Sequence, residues 1–141
     1  MHSIVCLFWL IAVVSAVKDW RECRIPNPCC VAIVFITVLK ELFIQDMAWG
    51  EHILGSVVIS IPMFLLALFF KGSFGGGDIK FTAACGFFLG WRVMLKSSVF
   101  AIGGAGIWAV LLLWKGYDKK TRFPLGPFLV FGMFVGTVSM Y

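Results

Sequence analysis

The sequence predicts an all-α membrane protein of about six transmembrane helices, and three observations predict it. Of 141 residues, 61% are hydrophobic and 13% charged, which is more apolar surface than a soluble domain of this length can bury. The sparse charges divide the chain into apolar stretches close to the roughly 20 residues that a helix needs to cross a hydrocarbon core of about 30 Å. Lys and Arg fall unevenly between alternate loops, as they do in polytopic proteins.

The expected spans lie near 2–17, 29–44, 53–70, 79–95, 98–114 and 124–140, and form one domain over residues 1–141. In the first, Val14-Ser15-Ala16 resembles a signal-peptidase site, but no basic region precedes the apolar run, so the segment is expected to stay. The second is expected to open on Asn27 as N-cap with Pro28 as the first helical residue, while Pro26 holds the preceding loop extended. Pro62 is expected to kink the third. Arg92 and Lys96 interrupt the end of the fourth. Close helix approach is expected at Gly86 and Gly90, at Gly132 and Gly136, and at the thin stretch Gly103, Gly104 and Gly106. Trp20, Trp91 and Trp114 fall near span ends, where an aromatic belt belongs.

The loops after spans one, three and five carry Lys18, Arg21, Arg24, Lys71, Lys80, Lys115, Lys119, Lys120 and Arg122; the opposite side has Lys40, Arg92 and Lys96. Nine against three puts the first set in the cytoplasm and both termini on the extracytoplasmic side. Basic loops beside anionic headgroups account for much of the net charge of +5 without nucleic acid. The cysteines, Cys6, Cys23, Cys29, Cys30 and Cys85, form no CxxC pair or zinc spacing and are expected as free thiols.

Of the acids, Glu41, Asp46 and Glu51 read as solvated charges of the outer loop between spans two and three, and Asp118 sits among lysines. Asp19, at the end of span one, and Asp78, at the start of span four in Ser-Phe-Gly-Gly-Gly-Asp-Ile-Lys, fall on the same membrane face. Two carboxyls that meet share a proton near neutral or mildly acidic pH. One can then draw a proton from water while the other donates to a carbonyl oxygen, which is the acid–base division of peptide hydrolysis without a covalent intermediate. That chemistry needs no metal or cofactor. Gly75, Gly76 and Gly77 would clear side chains from the path of an extended substrate and permit positive φ. The residues alone also allow Asp78 as a plain N-cap and Asp19 as an interfacial charge.

Three stretches carry a resemblance. Asp19-Trp20-Arg21-Glu22-Cys23-Arg24-Ile25-Pro26-Asn27 resembles the first signature of type IV prepilin peptidases, Gly75-Gly76-Gly77-Asp78-Ile79-Lys80 their GxGD motif, and Phe123-Pro124-Leu125-Gly126-Pro127-Phe128 their Pro-x-Gly-Pro-Phe segment. The resemblance implies a membrane aspartic endopeptidase that removes the basic leader from a prepilin or pseudopilin at the cytoplasmic face of the plasma membrane. It implies Asp19 and Asp78 as the catalytic pair, with Gly75, Gly76, Gly77, Lys80, Pro26, Asn27, Pro124, Gly126 and Pro127 in supporting or substrate-binding places. Lys80 would orient Asp78 or contact substrate, or simply snorkel to the headgroups. Longer members carry an N-terminal cysteine-rich domain and methylate the new pilin end; this sequence is similar to the compact, peptidase-only forms.

Two rival readings lead elsewhere. Presenilin-like and signal-peptide-peptidase-like proteases also use GxGD, but they place a Tyr-Asp pair in an earlier helix, and none occurs before span four. A small transporter could bind protons or cations at Asp19 and Asp78, but that role gives no reason for the Ile-Pro-Asn and Gly-Pro-Phe stretches.

Overall fold

The computed structural model describes residues 2–69, 75–116 and 125–139. These form α1 (His2–Glu22), α2 (Asn27–Ile44), α3 (Trp49–Val58), α4 (Ser60–Phe69), α5 (Gly76–Leu89), α6 (Trp91–Trp114) and α7 (Gly126–Val138), with no strand among the described residues. α3 and α4 are one apolar rod interrupted at Ile59, so the bundle has the expected six rods. The interruption follows from Pro62, which has no N–H to offer the Val58 carbonyl; Met63 resumes the ladder by donating to the Ile59 carbonyl at 3.1 Å. α1, α2, the α3–α4 rod and α6 are long and apolar enough to cross a membrane. α5 and α7 are shorter, at 14 and 13 residues.

α5 is the centre of the bundle. It packs against α2, α3, α4, α6 and α7, and its Phe88 ring stacks on Phe8 of α1 with centroids 4.1 Å apart. Its buried residues, Phe81, Thr82, Ala84, Cys85, Gly86, Phe88 and Leu89, leave it no polar face, as befits a helix surrounded by others. Whatever stands on its first turn is therefore placed by the whole bundle.

Two glycine seams set the close approaches. A Cβ on Gly55 of α3 would collide with the Gly86 carbonyl and the Gly90 backbone, and one on Gly86 would collide with Gly55. On α7, Gly132 and Gly136 lie against Ser97 and Ala101 of α6. The expected thin stretch of span five packs this way only at Gly104, where a Cβ would lie 3.4 Å from the Phe128 ring; nothing lies within 4 Å of a Cβ on Gly103 or Gly106, which are exposed.

Several sequence expectations are corrected. α1 runs past residue 17 to Glu22 and ends where Cys23 turns left-handed (φ 49), its N–H bonded to the Asp19 carbonyl at 2.8 Å. Pro26, not Asn27, is the N-cap of α2; Asn27 is its first helical residue, and Pro28 follows. The turn between spans four and five falls at Gly90, whose φ of 79 only glycine adopts freely. Arg92 and Lys96 are therefore early residues of α6 and not the end of span four. Glu41 is not a solvated loop charge. It lies in the last turn of α2, is 3% exposed and is paired with His52 of α3, because this face of α2 meets the bundle and His52 supplies the partner that a buried carboxyl needs. Asp46 is also paired, with Lys40 at 3.0 Å. All five cysteines are free thiols.

Candidate active site

Asp19 sits in the last turn of α1 and Asp78 in the first turn of α5, and the chain between and around them brings the two to one end of the bundle. After α1 closes, Arg24, Ile25 and Pro26 lead to α2 without regular structure, with Pro26 in extended backbone. Ile25 is buried and lies directly against Gly77: a Cβ there would stand 3.4 Å from the Ile25 backbone nitrogen, oxygen and Cβ. The loop that follows Asp19 thus touches the turn that precedes Asp78.

Each carboxyl is held by a backbone amide. The Gly126 N–H at the start of α7 donates to Asp19 Oδ2 at 2.7 Å, and Asp19 is only 3% exposed. Any side chain at 126 would invade this contact, since its Cβ would lie 2.7 Å from Oδ2 and 2.9 Å from the Asp19 Cβ. Asp78 is half-buried and accepts a hydrogen bond from the Gly75 N–H. Gly75 is the N-cap of α5, with extended φ −71 and ψ 141, and Asp78 occupies the third helical position, from which a side chain reaches back to the N-cap amide. The plain N-cap reading of Asp78 is therefore off by three residues. A Cβ on Gly75 would come within 3.3 Å of Asp78 Oδ2.

The charge of Asp19 is felt at Asp78, so the two carboxyls are within electrostatic reach. Among the described residues neither forms an ion pair. Two acids on adjoining helix ends, without a counter-cation against either, are equipped to divide one proton between them.

The remaining expected residues fall around this pair unequally. Pro26 is half-buried and Asn27 exposed at the start of α2; neither makes a side-chain cap. Gly76 is exposed with open space at its Cβ position. The glycine run does not use positive φ at any of Gly75, Gly76 or Gly77; its service here is room beside Asp78 and Ile25. Lys80 is exposed and not paired with Asp78. Pro127 follows Gly126 in the first turn of α7, and Pro124 lies outside the described residues. Sequence reasoning missed the buried pair Glu41 and His52 at the opposite end.

A family model described as the type IV leader peptidase family matches residues 4–138. The prepilin leader peptidase/N-methyltransferase of Pectobacterium carotovorum subsp. carotovorum is 28% identical over 133 residues, 89% of this chain and 47% of that protein. The protein of the same description from Bacillus subtilis (strain 168) is 26% identical over 127 residues, 89% of this chain and 51% of that one. That from Aeromonas salmonicida (strain A449) is 26% identical over 133 residues, 87% and 44% of the two chains. The chain thus spans about half the length of the curated relatives it matches. No solved structure matches significantly.

Proposed function

The chain belongs to the type IV leader peptidase family, and on that premise we propose that it is a membrane aspartic endopeptidase that removes the leader from prepilin-like precursors. The observation that carries this reading is the pair itself: Asp19, fixed by the Gly126 amide, within electrostatic reach of Asp78. In the proposed reaction the ionised carboxylate takes a proton from water as the oxygen attacks the scissile carbonyl carbon. The protonated partner donates to the carbonyl oxygen, giving a neutral diol. Collapse of the diol breaks the C–N bond, the departing amine takes up the proton held by the first aspartate, and the second regains its own.

The orientation is part of the proposal. The excess of Lys and Arg in the loops after spans one, three and five puts this end of the bundle at the cytoplasmic face of the plasma membrane and the termini outside. The substrate is then a prepilin or pseudopilin whose leader lies at that surface and whose apolar stem lies in the bilayer.

The test is cleavage of a prepilin by the protein reconstituted in lipid, with mass spectrometry locating the cut, for wild type, Asp19→Asn and Asp78→Asn. A single cut at the leader junction, lost in both variants, supports the reading. A cut that survives either substitution removes that aspartate from the mechanism.

A further inference from the structure

At the end of the bundle away from the aspartate pair, His52 of α3 is fully buried, at 0% exposure. Its Nδ1 faces the Phe87 carbonyl of α5, and its Nε2 lies 3.1 Å from Glu41 Oε2 of α2. A backbone carbonyl only accepts hydrogen bonds, and so does an ionised carboxylate, while a neutral imidazole has a single N–H to give. Serving both partners takes one more proton. Either His52 is an imidazolium that donates to both, or Glu41 is protonated and donates to Nε2 while Nδ1–H goes to Phe87. Both arrangements are net neutral, which is what an enclosed ionisable pair requires.

Apart from Glu51, the surrounding charges are engaged or turned outward. Lys40 of α2 pairs with Asp46 at 3.0 Å. Glu51 of α3 is half-buried and makes no ion pair among the described residues. On α6, Arg92 is exposed over the Trp91 ring and Lys96 is exposed. α5 presents the Phe87 carbonyl. Glu41 is the charged group hydrogen-bonded to the imidazole.

We propose that His52 and Glu41 are positioning residues for Asp78, a proton-holding clamp that fixes where α5 stands against α2 and α3. Gly55, one turn after His52, and Gly86, beside Phe87, form the seam where the α3 and α5 backbones touch, so the clamp closes on the tightest crossing in this part of the bundle. From Phe87 back to Asp78, α5 rises about 13 Å as a single rod. The far end of α2 joins the Ile25 loop that lies against Gly77. Clamp and aspartate pair therefore share α5, and α2 joins the clamp to the loop that follows Asp19. The kinetic consequence rests on the peptidase reading; the proton and the placement of α5 do not.

The first measurement is 15N NMR of the full chain in lipid, with His2→Gln leaving His52 as the sole imidazole. Nδ1 carrying a proton is expected; a neutral ring protonated at Nε2 with a bare Nδ1 overturns the clamp. In the cleavage assay, His52→Ala and Glu41→Ala should lower kcat about tenfold with KM kept within about twofold, the pattern of a group misplaced for reaction and not for binding. Glu41→Gln, whose amide can donate to a neutral Nε2, should keep kcat within about threefold. Amide exchange at Asp78 and Ile79, both bonded to the Gly75 carbonyl, should rise about tenfold in His52→Ala, and that reading needs no substrate. A folded His52→Ala with unchanged kcat and exchange overturns the proposal, as does a Glu41→Gln that loses kcat about tenfold. Should the alanine variants not fold, Glu41→Gln and the NMR decide. A wild type that cleaves no prepilin would sink the peptidase reading, while tautomer and exchange would still judge the clamp.

Discussion

At one end of the bundle Asp19 and Asp78 stand within electrostatic reach of each other, with backbone amides and no ion-pair partner among the described residues against their carboxyls, whereas at the other Glu41 meets His52 and Asp46 meets Lys40. Both ends put acids at helix termini. The difference lies in what faces them. An acid matched by a base is electrically finished and serves packing, while an acid facing another acid holds an unresolved proton and is available for chemistry. The means of assembly differ too. The matched end adds side-chain pairs to its Gly55–Gly86 seam, while the aspartate end relies on the absence of side chains at Gly77 and Gly126.

That contrast can be broken in graded steps. The largest effect is expected from Asp19→Asn or Asp78→Asn, either of which should cut kcat by about 1,000-fold or more while circular dichroism and thermal unfolding in detergent stay near wild type. Gly126→Ala comes next. Its methyl would enter the Asp19 carboxyl and push it off the amide, so kcat should fall about 100-fold, the scale of a misplacement near 1 Å, in the same prepilin assay. Gly55→Ala strikes the matched end's seam and leaves both aspartates untouched. It should destabilise the fold by about 3 kcal/mol, visible as a lowered unfolding temperature ahead of any specific loss of turnover. Lys80→Ala should do least, with kcat/KM within about threefold, because the lysine is exposed and does not pair with Asp78. A large drop there would show that Lys80 meets the substrate.

The two ends were also unequally legible in the sequence. Apolar run lengths gave the six rods, and Pro62 gave the break in the third, since both depend on local chemistry. Asp19 and Asp78 stood out because each is an acid beside an unusual neighbourhood of prolines or glycines. Gly132 and Gly136 were readable from spacing alone, yet Gly103 and Gly106 have similar spacing and face outward; which face of a helix meets a partner is decided by the partner. The Glu41–His52 pair left no trace, because its members sit eleven residues apart across a turn and no periodicity links them. Span four was misjudged at its end since the apolar run continues past Gly90 to residue 95, whereas the chain turns at Gly90, where the backbone needs positive φ.

The Gly126 amide that holds Asp19 comes from 107 residues further along the chain. A polypeptide emerging from the ribosome therefore makes both aspartates long before it makes the group that secures the first of them. Throughout synthesis and insertion of the earlier helices, the Asp19 carboxyl has no amide from α7 to rest against. Only when α7 docks on α1 and α6 does that support arrive. Docking of α7 and the securing of Asp19 are then one event, so a chain caught partway through biogenesis carries the two acids without the amide that holds the first.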